Sequence, residues 1–138
     1  MKYILPLIAA LLIVSCKTTD IVKYEYKSTT MLGSRVLTVT QDSVVSAFSG
    51  RSEPTRTARA TTPEEWNELK ASMSAVKLEA IADLESPTNK RATDAAPYGS
   101  VKLSTKDSPY HSSAFDGYNS HKNLVPLMAV MQKIAAKR

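Results

Sequence analysis

The chain has 138 residues, one cysteine and a formal net charge of +5. A single thiol excludes internal disulfides and cysteine-rich zinc sites, and the scattered basic residues lack the aromatic and basic stripe of a nucleic-acid binder. The length fits one domain.

An uncharged apolar run, ILPLIAALLIV at residues 4–14, follows Lys2 and precedes Ser15 and Cys16. This order of basic, apolar and small residues predicts an export signal. As a helix, the run rises only about 16 Å, whereas the apolar core of a bilayer is about 30 Å thick. We therefore do not expect it to anchor the protein by spanning a membrane.

The residues Ile13–Cys16 resemble the lipobox of bacterial lipoproteins. The resemblance implies cleavage before Cys16, diacylglycerol on its sulfur and an acyl group on its new amino terminus. Lys17 follows the cysteine, and the absence of an acidic residue there resembles lipoproteins that are passed on to the outer membrane, so the resemblance implies the outer membrane. We expect a signal peptide over 1–15, an acylated cysteine with a short tether over 16–20, and a cell-envelope location on the periplasmic or the surface side. An ordinary secretory signal with a chance cysteine, or a buried apolar helix, is the alternative.

A single domain is predicted over residues 21–138, and strands dominate its first half. The segment IVKYEYK alternates, with Tyr24 and Tyr26 on one side and charged residues on the other, which is typical of a half-buried strand. Two further β-rich segments and the polar, edge-like TRTARAT follow. The predicted strands are residues 21–27, 35–40, 44–49 and 55–61.

The second half mixes helices with a hairpin. Thr62, Pro63 and Glu65 provide an N-cap, a proline in the first turn and a capping-box glutamate, and the helical spacing continues to Val76. A short helical turn, a hairpin and a terminal helix follow at residues 78–84, 100–115 and 124–138. This order predicts an α+β fold in which an antiparallel sheet of five to six strands is packed on one face by two main helices.

The irregular segment 85–98 is the predicted recognition loop, because long exposed loops on rigid scaffolds often bind partners. Its basic and amide groups are able to donate to a carboxylate or phosphate, and its tyrosine adds an aromatic anchor. In the alternative reading, Asp94 holds Arg91 within the loop. The predicted binding residues are Asn89, Lys90, Arg91, Asp94 and Tyr98.

Catalytic and metal-binding patterns are weak. His111 and His121 lack a ligand spacing, so neither a metal nor a cofactor is predicted. His111 or Asp116 is a candidate catalytic residue of a small hydrolase, but no nucleophile elbow or oxyanion-hole motif accompanies either one. Glu64 and Glu65 are explained by the helix dipole.

The order of elements is similar to that of emfourin-like metallopeptidase inhibitors and of small envelope lipoproteins. The similarity rests on the segments TPEEW, LEAIADL and LVPLMAVMQKI, and no inhibitory residue is transferable from it. We expect a membrane-anchored, non-enzymatic module that binds an envelope protein or component. The resemblance implies that the most specific form of this binding function is inhibition of an exported hydrolase. A small envelope hydrolase and a structural spacer are the alternatives.

Overall fold

The structure is a computed structural model that describes residues 20–137. The predicted signal peptide, the predicted lipidation of Cys16 and residues 17–19 of the tether lie outside the described residues. The strands are β1 (Lys23–Thr30), β2 (Gly33–Thr40), β3 (Ser43–Gly50), β4 (Thr55–Ala60), β5 (Tyr98–Ser104), β6 (Pro109–His111) and β7 (Phe115–Asp116). The helices are α1 (Pro63–Ala71) and α2 (Val125–Ala136), with short 3₁₀ helices at Leu78–Asp83, Lys90–Thr93 and Lys122–Leu124.

The strands form one antiparallel sheet in the order β4-β3-β2-β1-β5-β6, and β7 also pairs with β5. The predicted α+β class is confirmed, and the described part of the chain has seven strands where five to six were expected. Most of these strands are joined by short hairpins, which explains why sequence neighbours are sheet neighbours.

The strand register gathers the buried side chains of the central strands on one side of the sheet, because residues directly opposite each other point to the same side. We call this side the inner face and the opposite side the outer face. The central residues of the inner face are Tyr24, Tyr26, Leu37, Val39, Val101 and Leu103, each no more than 3% exposed.

Helix α1 begins with the predicted capping box. The Thr62 hydroxyl accepts from the Glu65 N–H, and the Glu65 carboxylate accepts from the Thr62 N–H at 3.0 Å. The helix is shorter than predicted and ends at Ala71 rather than Val76. At its end, the Ser72 hydroxyl donates to the carbonyl three residues earlier at 2.6 Å, which satisfies a group that the helix leaves free.

The second hairpin differs from the single strand expected over residues 110–115. The chain instead makes two short strands, β6 and β7, that pair with different parts of β5. Between them, the Ser112 hydroxyl accepts from the Val101 N–H at 2.9 Å, and the Ser113 hydroxyl donates to the Leu84 carbonyl at 2.6 Å. The Ser112 N–H still donates to the Val101 carbonyl at 2.9 Å, but the Val101 N–H bonds to a hydroxyl instead of a backbone carbonyl, so the regular ladder is interrupted here.

The core lies within the described residues and extends along the chain from Ile21 to Ile134. The Trp66 ring of α1 meets the Tyr24 ring of β1 edge to face, with centroids 5.4 Å apart. Among residues 20–137, no helix is both long and apolar enough to cross a membrane.

Candidate functional site

The Asp116 carboxylate organises the predicted recognition loop. It is buried in β7 and accepts from the Thr88 hydroxyl, from the Lys90 N–H at 2.8 Å and from the Arg91 N–H at 3.0 Å. The Arg91 guanidinium adds an ion pair, with Nη1 3.0 Å from Oδ1. One carboxylate therefore ties the loop to the sheet across about 25 residues of sequence.

Burial by itself would raise the pKa of Asp116. The hydrogen bonds from Thr88, from the N–H groups of Arg91 and Lys90, and from the Arg91 guanidinium outweigh it and hold that pKa well below its usual range. Asp116 is therefore ionised throughout the physiological range and is fully engaged as an acceptor.

The five predicted binding residues occupy different positions in this loop. Asn89, Lys90 and Asp94 are exposed, and Tyr98 begins β5 with 48% of its surface exposed. The side chain of Arg91 is only 18% exposed, and the carboxylate that holds it belongs to Asp116 rather than to Asp94. Binding by this loop stays a prediction. The alternative reading had Arg91 held within the loop by Asp94, and the structure instead pairs Arg91 with Asp116.

The residues proposed for hydrolysis, His111 and Asp116, lie on the short strands β6 and β7. His111 is exposed, Asp116 is engaged with the loop, and neither side chain lines the concavity formed by β1 to β4 or the one beside the 85–98 loop. Over residues 20–137, no cluster of three or more His, Cys, Asp or Glu side chains is arranged to hold a metal ion.

A larger concavity lies on the inner face, away from the loop. Its volume is about 930 Å³, which is within the range of small-molecule sites. The inner-face residues of β1 to β4 form most of it, Tyr118 contributes, and the C-terminal end of α2 forms another wall through Ile134, Ala135 and Lys137. We call this concavity the inner-face pocket. A smaller concavity of about 490 Å³ adjoins the 85–98 loop.

Positive charge dominates the inner-face pocket. Arg35, Arg59 and Lys137 line it, and within residues 20–137 no Asp or Glu side chain does so. Arg59 is neutralised from behind by Glu65, whose two carboxylate oxygens accept from Nη1 at 2.8 Å and Nη2 at 2.7 Å. The hydrogen bond from Arg59 lowers the pKa of Glu65 to about 2 against the opposing effect of burial, and the Thr62 N–H adds to the lowering.

Arg35 is differently placed. It is exposed, its guanidinium carbon lies 5.5 Å from the centroid of the Phe48 ring, and no carboxylate of the described residues forms an ion pair with it. A cation over an aromatic face is held in position without losing its charge. Within the part of the chain that the structure describes, Arg35 is therefore an oriented cation of the pocket that is free to meet an anion.

Two tyrosines form the aromatic wall of the inner-face pocket. The Tyr26 and Tyr118 rings stack with centroids 4.4 Å apart, and the Tyr26 hydroxyl donates to the Gly117 carbonyl at 2.6 Å. Burial, together with nearby Tyr118, raises the pKa of Tyr26 to about 12. The wall is therefore neutral and does not compensate the charge of Arg35.

Sequence reasoning missed the inner-face pocket. The signal was present in β2 and β3, where Arg35 and Phe48 occupy the same alternating positions as the buried Leu37 and Val44. When the residues on one face of a strand are apolar at one end and basic or aromatic at the other, the second end of that face is expected to be exposed to solvent.

No protein-family model matches this chain, and a search of curated proteins found no significant match. The functional argument therefore rests on the geometry of the site and on the N-terminal residues.

Proposed function

We propose that this protein is a lipid-anchored, non-enzymatic binding module of the bacterial cell envelope, and that its ligand occupies the inner-face pocket. The single observation that carries the binding role is the pocket of about 930 Å³, which has an apolar floor and a cationic rim. Concave sites of this volume, with a few oriented polar groups, are the usual form of small-molecule sites.

The finer architecture that we propose has both helices on the inner face, with the pocket at the part they leave open. Two contacts support it: Trp66 of α1 packs on Tyr24, and the Arg59 guanidinium donates to the Ile134 carbonyl of α2 at 3.3 Å. Tyr24 and Arg59 lie in one row of the sheet, joined through Val39 and Val44. Both helices therefore contact side chains that share a face.

The envelope location rests on the lipobox-like residues Ile13–Cys16. Two or more acyl chains at Cys16 hold a protein stably on a membrane, since each buried methylene contributes about 0.8 kcal/mol. Only residues 17–20 separate this cysteine from Ile21, the first core residue, so the domain sits close to the bilayer in this proposal.

Retention of a small molecule tests the binding role. Residues 17–138, which include all the described strands, helices and core, are incubated with a small-molecule extract of the envelope and analysed by mass spectrometry. Thr57→Trp fills the inner-face pocket, and Thr38→Trp places the same new side chain on the outer face. A compound kept by the native chain and by Thr38→Trp, but lost by a folded Thr57→Trp, supports the proposal. Equal retention by all three chains, or no retained compound, contradicts it.

Labelling with radioactive palmitate tests the anchor in the producing cells. We expect label on the native protein and none on Cys16→Ser, which should also leave the membrane fraction. Label on the serine variant, or membrane retention without label, contradicts lipidation at Cys16.

A further inference from the structure

We infer that the ligand of the inner-face pocket is an anionic amphiphile: a single carboxylate or phosphate head attached to an extended apolar body. This inference rests on the proposed binding function and adds the chemical class of the ligand. It follows from how charge and burial are distributed in the pocket.

The head-group position is set by Arg35. Arg59 lies on the same face of the sheet but is already engaged, because its terminal nitrogens donate to both carboxylate oxygens of Glu65 and to the Ala60 and Ile134 carbonyls. Lys137 also faces Glu65, with Nζ 3.9 Å from Oε2. Among residues 20–137, no carboxylate forms an ion pair with Arg35, and its guanidinium carbon lies 5.5 Å from the centroid of the Phe48 ring, so its planar donors are available to an anion. An arginine fork matches the geometry of a carboxylate or a phosphate.

The body position is set by the floor of the pocket. Leu37, Val44 and Ile134 line the floor and are 3%, 5% and 2% exposed. Arg35 is instead exposed at the rim, and so is the side chain of Lys137, at 51%. Burial thus rises from a cationic rim to an apolar floor, which is the arrangement that an amphiphile needs to keep its charge in water and its body out of it.

Other occupants fit these observations less well. A cationic ligand meets a positive rim, and no carboxylate of the described residues lines the pocket to compensate it. A second copy of the chain would bring two positive rims together, which is repulsive. A neutral apolar molecule would leave Arg35 unused and facing solvent.

Calorimetric titration of residues 17–138 tests the ligand class with three probes of equal chain length: decanoate, decanol and decyltrimethylammonium. We expect decanoate to bind at least tenfold more tightly than the other two. Arg35→Gln should weaken decanoate binding by roughly tenfold, equivalent to about 1.4 kcal/mol. Arg56→Gln is the matched control, because Arg56 lies opposite Ala47 on the outer face and should leave the affinity unchanged. Added salt should weaken the native interaction.

A further titration distinguishes binding of a free amphiphile from binding to a membrane surface. Vesicles of phosphatidylglycerol present the same anionic chemistry on a bilayer, and binding to them without binding of decanoate overturns the inference. Equal affinities for decanoate and decanol, or equal effects of Arg35→Gln and Arg56→Gln, overturn it as well. If the native chain retains an envelope compound that the Thr57→Trp variant does not retain, but decanoate does not bind, the inferred ligand class is wrong while the binding function stands.

Discussion

Glu65 joins the sheet to both helices, and its replacement by glutamine should destabilise the protein markedly. Its carboxylate accepts two hydrogen bonds from Arg59 of β4 and one from the N-cap of α1, and it is only 4% exposed. Arg59 in turn donates to the Ile134 carbonyl of α2. Glutamine keeps the shape and the capping-box oxygen, but it turns an NH₂ group towards one guanidinium nitrogen.

The expected loss is one charge-assisted hydrogen bond, or about 1.5–3 kcal/mol of unfolding free energy. This loss of unfolding free energy is smaller than for a fully buried ion pair, because the Arg59 side chain is 26% exposed and water partly replaces the lost partner. At about 4 °C per kcal/mol for a domain of this size, the melting temperature should fall by roughly 6–12 °C. Thermal and urea unfolding followed by circular dichroism measure both quantities.

The destabilisation caused by Glu65→Gln should become smaller as the pH falls. The pKa of Glu65 is about 2 in the folded chain against an ordinary value of 4.5, so its ionised form stabilises the fold. This contribution is complete above about pH 4.5 and is lost as the pH falls towards 2. The difference in unfolding free energy between the native chain and Glu65→Gln should therefore shrink between pH 5 and pH 2.

Glu68→Gln is the matched control. Glu68 pairs with Lys133 at 2.9 Å, but the two side chains are 42% and 59% exposed, so the loss should stay below about 1 kcal/mol. Equal losses for the two glutamine variants, or a Glu65→Gln effect that persists unchanged to pH 2, would refute the role assigned to Glu65.

Three further variants test the supports of the loop and of the aromatic wall. Asp116→Asn removes the anion that holds Arg91, so limited trypsin digestion should cleave after Arg91 faster than in the native chain. An unchanged cleavage rate would contradict the role of Asp116 as the anchor of the loop. Tyr26→Phe removes the bond to Gly117 and should cost about 1 kcal/mol in urea unfolding, whereas native stability would show that the bond contributes nothing. Gly99→Ala places a Cβ against the Gly117 carbonyl oxygen and should cost about 1–3 kcal/mol by the same assay, and a neutral result would contradict the close packing there.

Local chemistry was predictable from the sequence. The alternation around Tyr24 and Tyr26 predicted a strand with one buried side, and both tyrosines are buried. The capping box at Thr62 and Glu65 predicted the start of α1, because its bonds join residues three positions apart. These signals need only neighbouring residues.

The inner-face pocket and the anchor of the loop were not predictable in the same way. Register between strands places Arg35 directly opposite Phe48, and no local pattern fixes that pairing. Asp116 was a candidate catalytic residue, and its role as an anchor was not visible because its partners lie more than 20 residues earlier in the chain. Where function depends on long-range pairing, one sequence shows the residue types without showing which of them meet.

The central claim is that the inner-face pocket is the ligand-binding surface, and amide chemical-shift mapping tests it most directly. Isotope-labelled residues 17–138 are titrated with decanoate, and shift changes are read residue by residue. The account predicts the largest changes at inner-face positions such as Arg35, Phe48 and Thr57, with small changes at outer-face Thr38. Changes centred on the 85–98 loop or on the outer face would contradict it, whereas no changes at all would contradict the ligand class inferred for the pocket.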